Sequence, residues 1–397
     1  MRIAQLSDIH YCDKFLEEVD GCMQFAIDAL SKSEPSLIVL SGDTFDHKLD
    51  QNSPALFAAI EAVSQLGNIA PVLILQGTLS HDSPNSIGIF QRIQAANEIY
   101  VADRIDRVVL TKEGQFSKLV ENKLINHDQV LISCLPSVNK GQVAATVGAE
   151  NAAQAIGEHV ANLLAGWAPL NLEARALGIP TIIVTHGTVN GSITEHGVPM
   201  MGLDHEYSTG ALVAAQASAV MVGHIHKHQI WQSNDGRMIA YPGSLGRLHF
   251  GEHGDKGLIQ WDVFDNSAKL EFIVTPAKEL VEIEFAGTPN MDELRRLAKS
   301  TPKNAHVRIR FTVDEEHRAS VDKGAIAALF SEHAETKIEG RIAPISRQRA
   351  AGIGQAPSLA EKLTQWCELT GTDPVPLQER LMLLLYKAVK EQIEAAA

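Results

Sequence analysis

Five short polar clusters hold the residue types that bind metals and move protons. They are Asp8-Ile9-His10, Gly42-Asp43-Thr44-Phe45-Asp46, Ser80-His81-Asp82, His186, and His224-Ile225-His226. Taken singly each is a weak signal, because a lone histidine at a strand end is commonly a hydrogen-bonded structural residue. Their order is more informative. Each cluster follows an apolar run that reads as a buried strand: Arg2–Leu6, Ser36–Leu40, Ala70–Leu75, Thr181–Val184 and Ala219–Val222. Loops at the carboxyl ends of strands in one sheet converge, so two carboxylates and four histidines meet in one pocket. Buried polar groups crowded this way are costly unless something satisfies them. Two divalent cations would do so, and mixed imidazole and carboxylate donors suit Mn, Fe or Zn better than Mg.

The elements that must position these clusters alternate. Glu17–Ser31 places Val19, Met23, Ile27 and Leu30 on one helical face, and Pro54–Leu66 is again helical. Strand, helix, strand, helix, strand implies βαβ units and an α/β fold. The Ala-rich stretch 142–166 predicts another helix. From Gln229 to Val274, turn signals such as Asn234-Asp235-Gly236 predict an antiparallel meander. Beyond Pro276, the runs Val281–Phe285, Asp292–Lys299, His306–Val313 and Lys323–His333 predict a small α+β domain. A Gly- and Pro-bearing linker, Ala350–Pro357, precedes two helices broken at Gly371–Pro376. The last carries Leu381, Leu384, Leu385, Val389 and Ile393 in one stripe. Three parts are expected: 1–275, 276–345 and 346–397.

Composition narrows the function classes. The 397 residues carry 34 Lys+Arg against 48 Asp+Glu, a net charge of −14. That excludes a protein that coats nucleic acid by charge alone, but not a nucleic-acid enzyme whose metals supply positive charge. The stretch 303–349 has nine basic and seven acidic residues, so the acidic excess lies elsewhere. Four scattered cysteines without a CxxC argue against structural zinc or a disulfide framework and for reduced thiols in the cytoplasm. The N-terminus has no apolar signal-peptide core, and no apolar run nears the ~18 residues of a membrane span.

The ordered set DxH, GDxxD, HD, TH and GHxH resembles the calcineurin-type metallophosphoesterase superfamily. Tyr241-Pro242-Gly243-Ser244, followed by Phe250-Gly251-Glu252, resembles the SbcD-type nuclease subunit of DNA-repair complexes. The motifs span about residues 1–260, with a looser likeness over 276–345. The resemblance implies a β-sandwich flanked by helices (α/β/β/α), a small α+β capping domain and C-terminal helices. It implies two divalent metal ions, Mn2+ foremost, with Fe, Zn or Mg as alternatives. Asp8, His10 and His226 would hold the first metal, Asp43 would bridge, and His186 and His224 would hold the second. His81 would act on the leaving oxygen, Asp82 would orient His81, and Asp46 would support the metal ligands. The implied activity is exonuclease and endonuclease cleavage of DNA by metal-activated water. The implied partners are an SMC-like ATPase of the SbcC type, bound through the C-terminal helices, and a second copy of the chain.

One departure from the family pattern is plain. Where GNHD or GNHE is usual, this chain reads Gly77-Thr78-Leu79-Ser80-His81-Asp82. Two residues are inserted and the metal-binding Asn is absent. The hydroxyl of Ser80, directly before His81, or of Thr78, directly after the glycine, could replace it. Arg247, His249, Arg308 and Arg310, together with Arg341, Arg347 and Arg349, are candidate DNA contacts, although each also fits an ordinary surface role. The Thr188–Thr209 loop, with His196 and His205, is a candidate substrate grip. Two other functions share the metal core: a small-molecule phosphodiesterase acting on cyclic nucleotides, and a non-catalytic subunit whose second metal site has decayed.

Overall fold

A computed structural model describes residues 1–119, 123–125, 128–137, 149–194, 206–343 and 353–396. The N-terminal part alternates β1 (Arg2–Leu6), α1 (Leu16–Ser33), β2 (Leu37–Leu40), α2 (Pro54–Ile69), β3 (Val72–Leu75) and β4 (Ile99–Ala102). Next come β5 (Asp106–Thr111), β6 (Phe116–Lys118), β7 (Asp128–Leu135), α3 (Ala149–Ala176) and β8 (Thr181–His186). The short strands β9 (Thr188–Val189) and β10 (Glu206–Tyr207) precede α4 (Thr209–Ala214). Then follow β11 (Ala219–Gly223), β12 (Gln229–Gln232), β13 (Met238–Tyr241), β14 (Gly257–Val263) and β15 (Ala268–Val274).

Two sheets stack between helices. The first runs β15-β14-β1-β2-β3-β4 and the second β12-β13-β11-β8-β7-β5-β6. β1, β2, β3 and β4 pair in parallel, as do β7, β8, β11 and β13. Ile3, Leu37, Val39, Leu73, Ile182, Val184, Ile259 and Trp261 pack between the sheets. A second apolar layer joins the first sheet to α1 and α2 through Val19, Met23, Leu30, Ala59 and Leu66. A third joins the other sheet to α3 and α4 through Ile156, Val160, Leu164, Trp167 and Leu212. This is the expected four-layer α/β/β/α arrangement.

One polar bridge crosses the apolar sandwich. Gln5 lies on β1, wholly buried, and accepts a hydrogen bond from Trp261 Nε1 at 3.0 Å. Its amide nitrogen donates to Ser41 Oγ and to Val222 O of the facing sheet. All its polar atoms are therefore satisfied, which an interior position requires.

Two expectations shift. The meander of 229–274 is split: β12 and β13 form an antiparallel hairpin in the second sheet, whereas β14 and β15 complete the first. Turn signals locate hairpins but do not say which sheet each one joins. The helix expected over 142–166 runs on to Ala176 through Pro169, because Leu170 and Ala174 continue its buried face. Residues 142–148 lie outside the described residues.

The remainder comprises β16 (Leu280–Phe285), α5 (Met291–Ser300), β17 (His306–Asp314), α6 (Lys323–Leu329) and β18 (Glu335–Ala343), then α7 (Leu359–Thr370) and α8 (Pro374–Ala396). The three strands form a sheet in the order β16-β17-β18. Gly371 ends α7 in the left-handed region, and Pro374 opens α8, a stop and a start read directly from residue type. Chain contacts define two compact units. One is Met1–Glu284, Met291–Ile309 and Lys323–Ile338; the other is Phe285–Asn290, Arg310–Asp322 and Glu339–Ala397. Among the described residues, no helix is long and apolar enough to cross a membrane.

Candidate metal centre

The loops after β1 and β2 stay zipped beyond the strands. Asp8 N donates to Gly42 O, Ile9 N and His10 N to Asp43 O, and Tyr11 N to Thr44 O. This pairing sets Asp8 and His10 beside Asp43. The chain turns sharply to aim these side chains: Asp8 (φ 49°), His10 (φ 56°), Asp43 (φ 52°) and His224 (φ 110°) all take positive φ. Such conformations cost about 1–3 kcal/mol each for residues with a Cβ and gather where function needs them. Gly42 is glycine by necessity, since a Cβ there would collide with His186 Nδ1.

The candidate ligand atoms fall into three groups, of which His10 with Asp46 and His81 shares His10 with one of the two that follow. Asp8, His10 and His226 offer donors within 4.8 Å of one another, and so do Asp43, His186 and His224. In the first group, His10 Nε2 and His226 Nε2 face each other at 3.0 Å, and Asp8 Oδ1 lies 3.9 Å from His226 Nε2. In the second, Asp43 Oδ2 lies 3.2 Å from His186 Nε2. His186 Nδ1 donates to Ser41 O at 2.9 Å, which fixes the ring and leaves Nε2 turned to Asp43. The groups are tied together because His224 N donates to both oxygens of Asp8 at 3.0 Å.

Electrostatics follows from burial. Burial pushes His10 down to about 3, against the pull of Asp43. Burial and the neighbouring His10 likewise hold His226 well below the usual imidazole range. Both rings are therefore neutral at neutral pH. Burial would raise Asp43, but the facing His186 outweighs it and holds the carboxyl well below the carboxylate range. Asp8 goes the other way: burial lifts it to about 6, with His186 opposing and Asp43 assisting.

These donors fit divalent cations. Metals require neutral imidazoles and carboxylates of their ligands; His10 and His226 already have that form, while His186, which burial would lower but Asp43 lifts to about 9, would give up its proton to a cation beside Asp43. His10 Nδ1 and His226 Nδ1 are buried without a hydrogen-bond partner. His10 Nε2 and His226 Nε2 share one hydrogen bond, and with the proton moved to Nδ1 each would turn a lone pair to a cation between them.

The neighbouring loop departs in detail from what the resemblance implies. His81 stands edge-on to His10, with ring centroids 4.7 Å apart, and its Nδ1 bonds Asp46 O at 2.5 Å. Asp46 also brings Oδ1 to 3.6 Å from His10 Nδ1, a supporting position. Asp82 does not orient His81. Its buried carboxylate accepts from Thr44 N, Phe45 N and Gly77 N at 3.3, 3.1 and 2.9 Å, which fastens the Asp43 loop. Three backbone amides offered a stronger claim on that carboxylate than a half-buried ring. Ser80 is exposed, whereas Thr78 Oγ1 lies 3.3 Å from both Asp43 Oδ2 and His186 Nε2.

The basic candidates have contacts of their own, and His249 also acts electrostatically on His10. Arg247 donates to Lys278 O and Gly254 O, and His249 rests edge-on against Phe15. Arg308 pairs with Glu282 and lies over Phe250, and Arg310 pairs with Glu339. His196, His205, Arg347 and Arg349 lie outside the described residues.

Residue-type reasoning missed the supports. Tyr241 Oη donates to Gly187 O at 2.6 Å and accepts from Val189 N at 2.7 Å, clamping the chain just past His186. Lys256 Nζ donates to His226 O and to Ser244 Oγ. The Tyr-Pro-Gly-Ser text marked the place without disclosing these bonds.

No curated protein matches the chain. A crystal structure aligned over 68% of this chain and 98% of its own is 11% identical, with a TM-score of 0.33, too slight to carry an argument. A family model described as calcineurin-like phosphoesterase matches residues 1–228. That is more than half of the 397 residues and takes in every member of the two donor clusters, so the chain belongs to the calcineurin-like phosphoesterase family.

Proposed function

We propose that this chain is a metal-dependent DNA phosphodiesterase, the nuclease subunit of a repair or recombination complex that includes an SMC-like ATPase. The observation that carries the reading is the pair of donor clusters, Asp8–His10–His226 and Asp43–His186–His224, joined through the Asp8–His224 bond. Support for DNA as substrate comes from the resemblance of Tyr241–Ser244 and Phe250–Glu252 to SbcD-type nucleases.

Asp8, His10 and His226 would hold one cation, and Asp43, His186 and His224 the other; Mn2+ is the ion proposed. When bound, such a pair supplies Lewis-acid charge at the phosphate and acidifies water toward neutral pH. His81 stands ready for the proton chemistry. With Nδ1 donating to the carbonyl of Asp46, the other ring nitrogen is the one that takes or gives a proton, here to the leaving oxygen. Asp46 fixes that tautomer, and Asp82 keeps the Asp43 loop in register.

The test compares linear duplex DNA, single-stranded DNA and bis-p-nitrophenyl phosphate, with and without Mn2+, against an Asp43→Ala control. Cleavage of both DNAs that Asp43→Ala abolishes supports the proposal. Turnover of the small ester alone would point to a small-molecule phosphodiesterase, and no difference from the control would remove catalysis.

The ATPase contact is assigned to α7 and α8. Met382, Leu383, Leu384 and Tyr386 are between 59% and 73% exposed, an apolar surface of the kind that packs on a partner helix. A chain lacking residues 356–397 should cleave a short substrate yet fail to co-elute with the ATPase. A homodimer is part of the same proposal, and its mass in solution tests it.

A further inference from the structure

We infer that Thr78 supplies the oxygen donor that completes the second cation site with Asp43, His186 and His224, in place of the amide that this chain lacks. The inference rests on the two-cation reading above. Three observations carry it. Thr78 Oγ1 lies 3.3 Å from Asp43 Oδ2 and 3.3 Å from His186 Nε2, two of the three donors of that cluster. Thr78 N donates to Asp43 Oδ1 at 2.6 Å, so the residue is held by its backbone as well as approached by its side chain. Gly77 lies so close to Asp43 that a Cβ there would collide with Asp43 N and Oδ1. This contact presses the next residue, Thr78, against the cluster.

The two-residue insertion is absorbed without disturbing this contact. His81 N and Asp82 N both donate to Thr78 O, at 2.9 and 2.8 Å, which closes a tight turn. The turn returns Asp82 to Gly77 N and sets His81 beside Asp46. Ser80 sits in the exposed part of this turn and has no part in the cluster. Position 78 thus faces Asp43 and His186 while Ser80 is turned to the surface.

A hydroxyl has one proton and two lone pairs. Thr78 can therefore donate to Asp43 Oδ2 and still present a lone pair to a cation. An alcohol oxygen is a weaker donor than an amide carbonyl, so the second site should fill only after the first. Occupancy of that site would then follow the free metal concentration, which makes the activity conditional on metal supply.

Manganese titration of the full chain tests this, followed by calorimetry and by the electron paramagnetic resonance signal of coupled Mn2+ pairs. The native chain should show a tighter and a weaker site. Thr78→Ala should weaken the weaker site by about tenfold or more, the scale of losing one supporting interaction at a metal, and abolish the coupled signal at subsaturating metal. Thr78→Asn should tighten that site, and Ser80→Ala should leave both unchanged. The inference is overturned if Thr78→Ala binds like the native chain, or if Ser80→Ala loses the weaker site. Failure of the two-cation reading looks different: the native chain would then bind no more Mn2+ than Asp43→Ala.

Discussion

The ammonium of Lys256 lies 2.6 Å from the carboxylate of Glu252, and both side chains are fully buried. Lys256 also donates to His226 O and Ser244 Oγ, while Glu252 Oε1 accepts from His249 N at 2.8 Å. The pair therefore fastens the chain that carries His226 to the loop after β13. An ion pair in a dry interior adds little over an apolar replacement of both partners, but removing one partner strands the other.

Lys256→Met should accordingly destabilise the protein by about 3–5 kcal/mol, the range for breaking a buried pair. The double variant Lys256→Met, Glu252→Gln should lose less than the sum of the single changes. Urea denaturation of the metal-free protein measures both. Because the released carbonyl belongs to a proposed metal ligand, Lys256→Met should also bind Mn2+ more weakly under conditions where it remains folded. A double variant whose loss equals the sum of the two single losses would show that the pair is not coupled.

His81 and Asp82 are adjacent in sequence but should fail in different ways. His81 is half-buried and held through one ring nitrogen, so His81→Gln should leave stability and metal content near native. Turnover should fall by about 10²–10⁴, the usual contribution of a positioned acid or base. Asp82→Ala instead leaves the amides of Thr44, Phe45 and Gly77 without their acceptor. Each orphaned buried donor costs about 1–3 kcal/mol. Asp82→Ala should therefore melt earlier and bind metal less well, and Asp82→Asn should recover part of both. A stable, metal-replete Asp82→Ala with no turnover would return Asp82 to the chemistry.

Much of this site was legible in the residue order, because strand-end placement is a rule of the fold. Asp8, His10, Asp43, His186, His224 and His226 each follow an apolar strand, and the structure gathers all six. What could not be read was which neighbour each polar group would choose. Asp82 follows His81 in the chain, yet its partners lie up to 38 residues away, in the loop after β2. The choice between Thr78 and Ser80 depended on where an inserted turn would bulge, and that is decided by Gly77 packing on Asp43. Lys256 looked like any lysine, because its burial depends on a sheet exchange between β13 and β14 that no local pattern encodes. The positive φ of Asp8, His10 and Asp43 was equally hidden, since none is the glycine that would advertise it.

Asp8 illustrates the conflict between stability and metal binding. It is fully buried, and burial raises its carboxyl to about 6, although His186 opposes the shift. A freely exposed aspartate titrates near 3.8. A carboxyl whose folded pKa is raised binds its proton more tightly when folded. Its penalty on the metal-free protein is therefore full above pH 6 and vanishes as the pH falls toward 4. Asp8→Asn removes the charge, keeps an oxygen that can accept from His224 N, and tolerates the positive φ at this position, as asparagine does. The metal-free Asp8→Asn protein should therefore melt above the native chain at pH 7.5, and the gap should close by pH 4. With Mn2+ the order should reverse. A cation at a hundred times its dissociation constant adds about 2.7 kcal/mol to the state that binds it, and only the native chain keeps the carboxylate needed for that gain. Thermal denaturation in EDTA and in Mn2+ at the two pH values gives all four comparisons. If Asp8→Asn melts below the native chain in EDTA at pH 7.5, the carboxylate stabilises the metal-free fold and no such conflict exists.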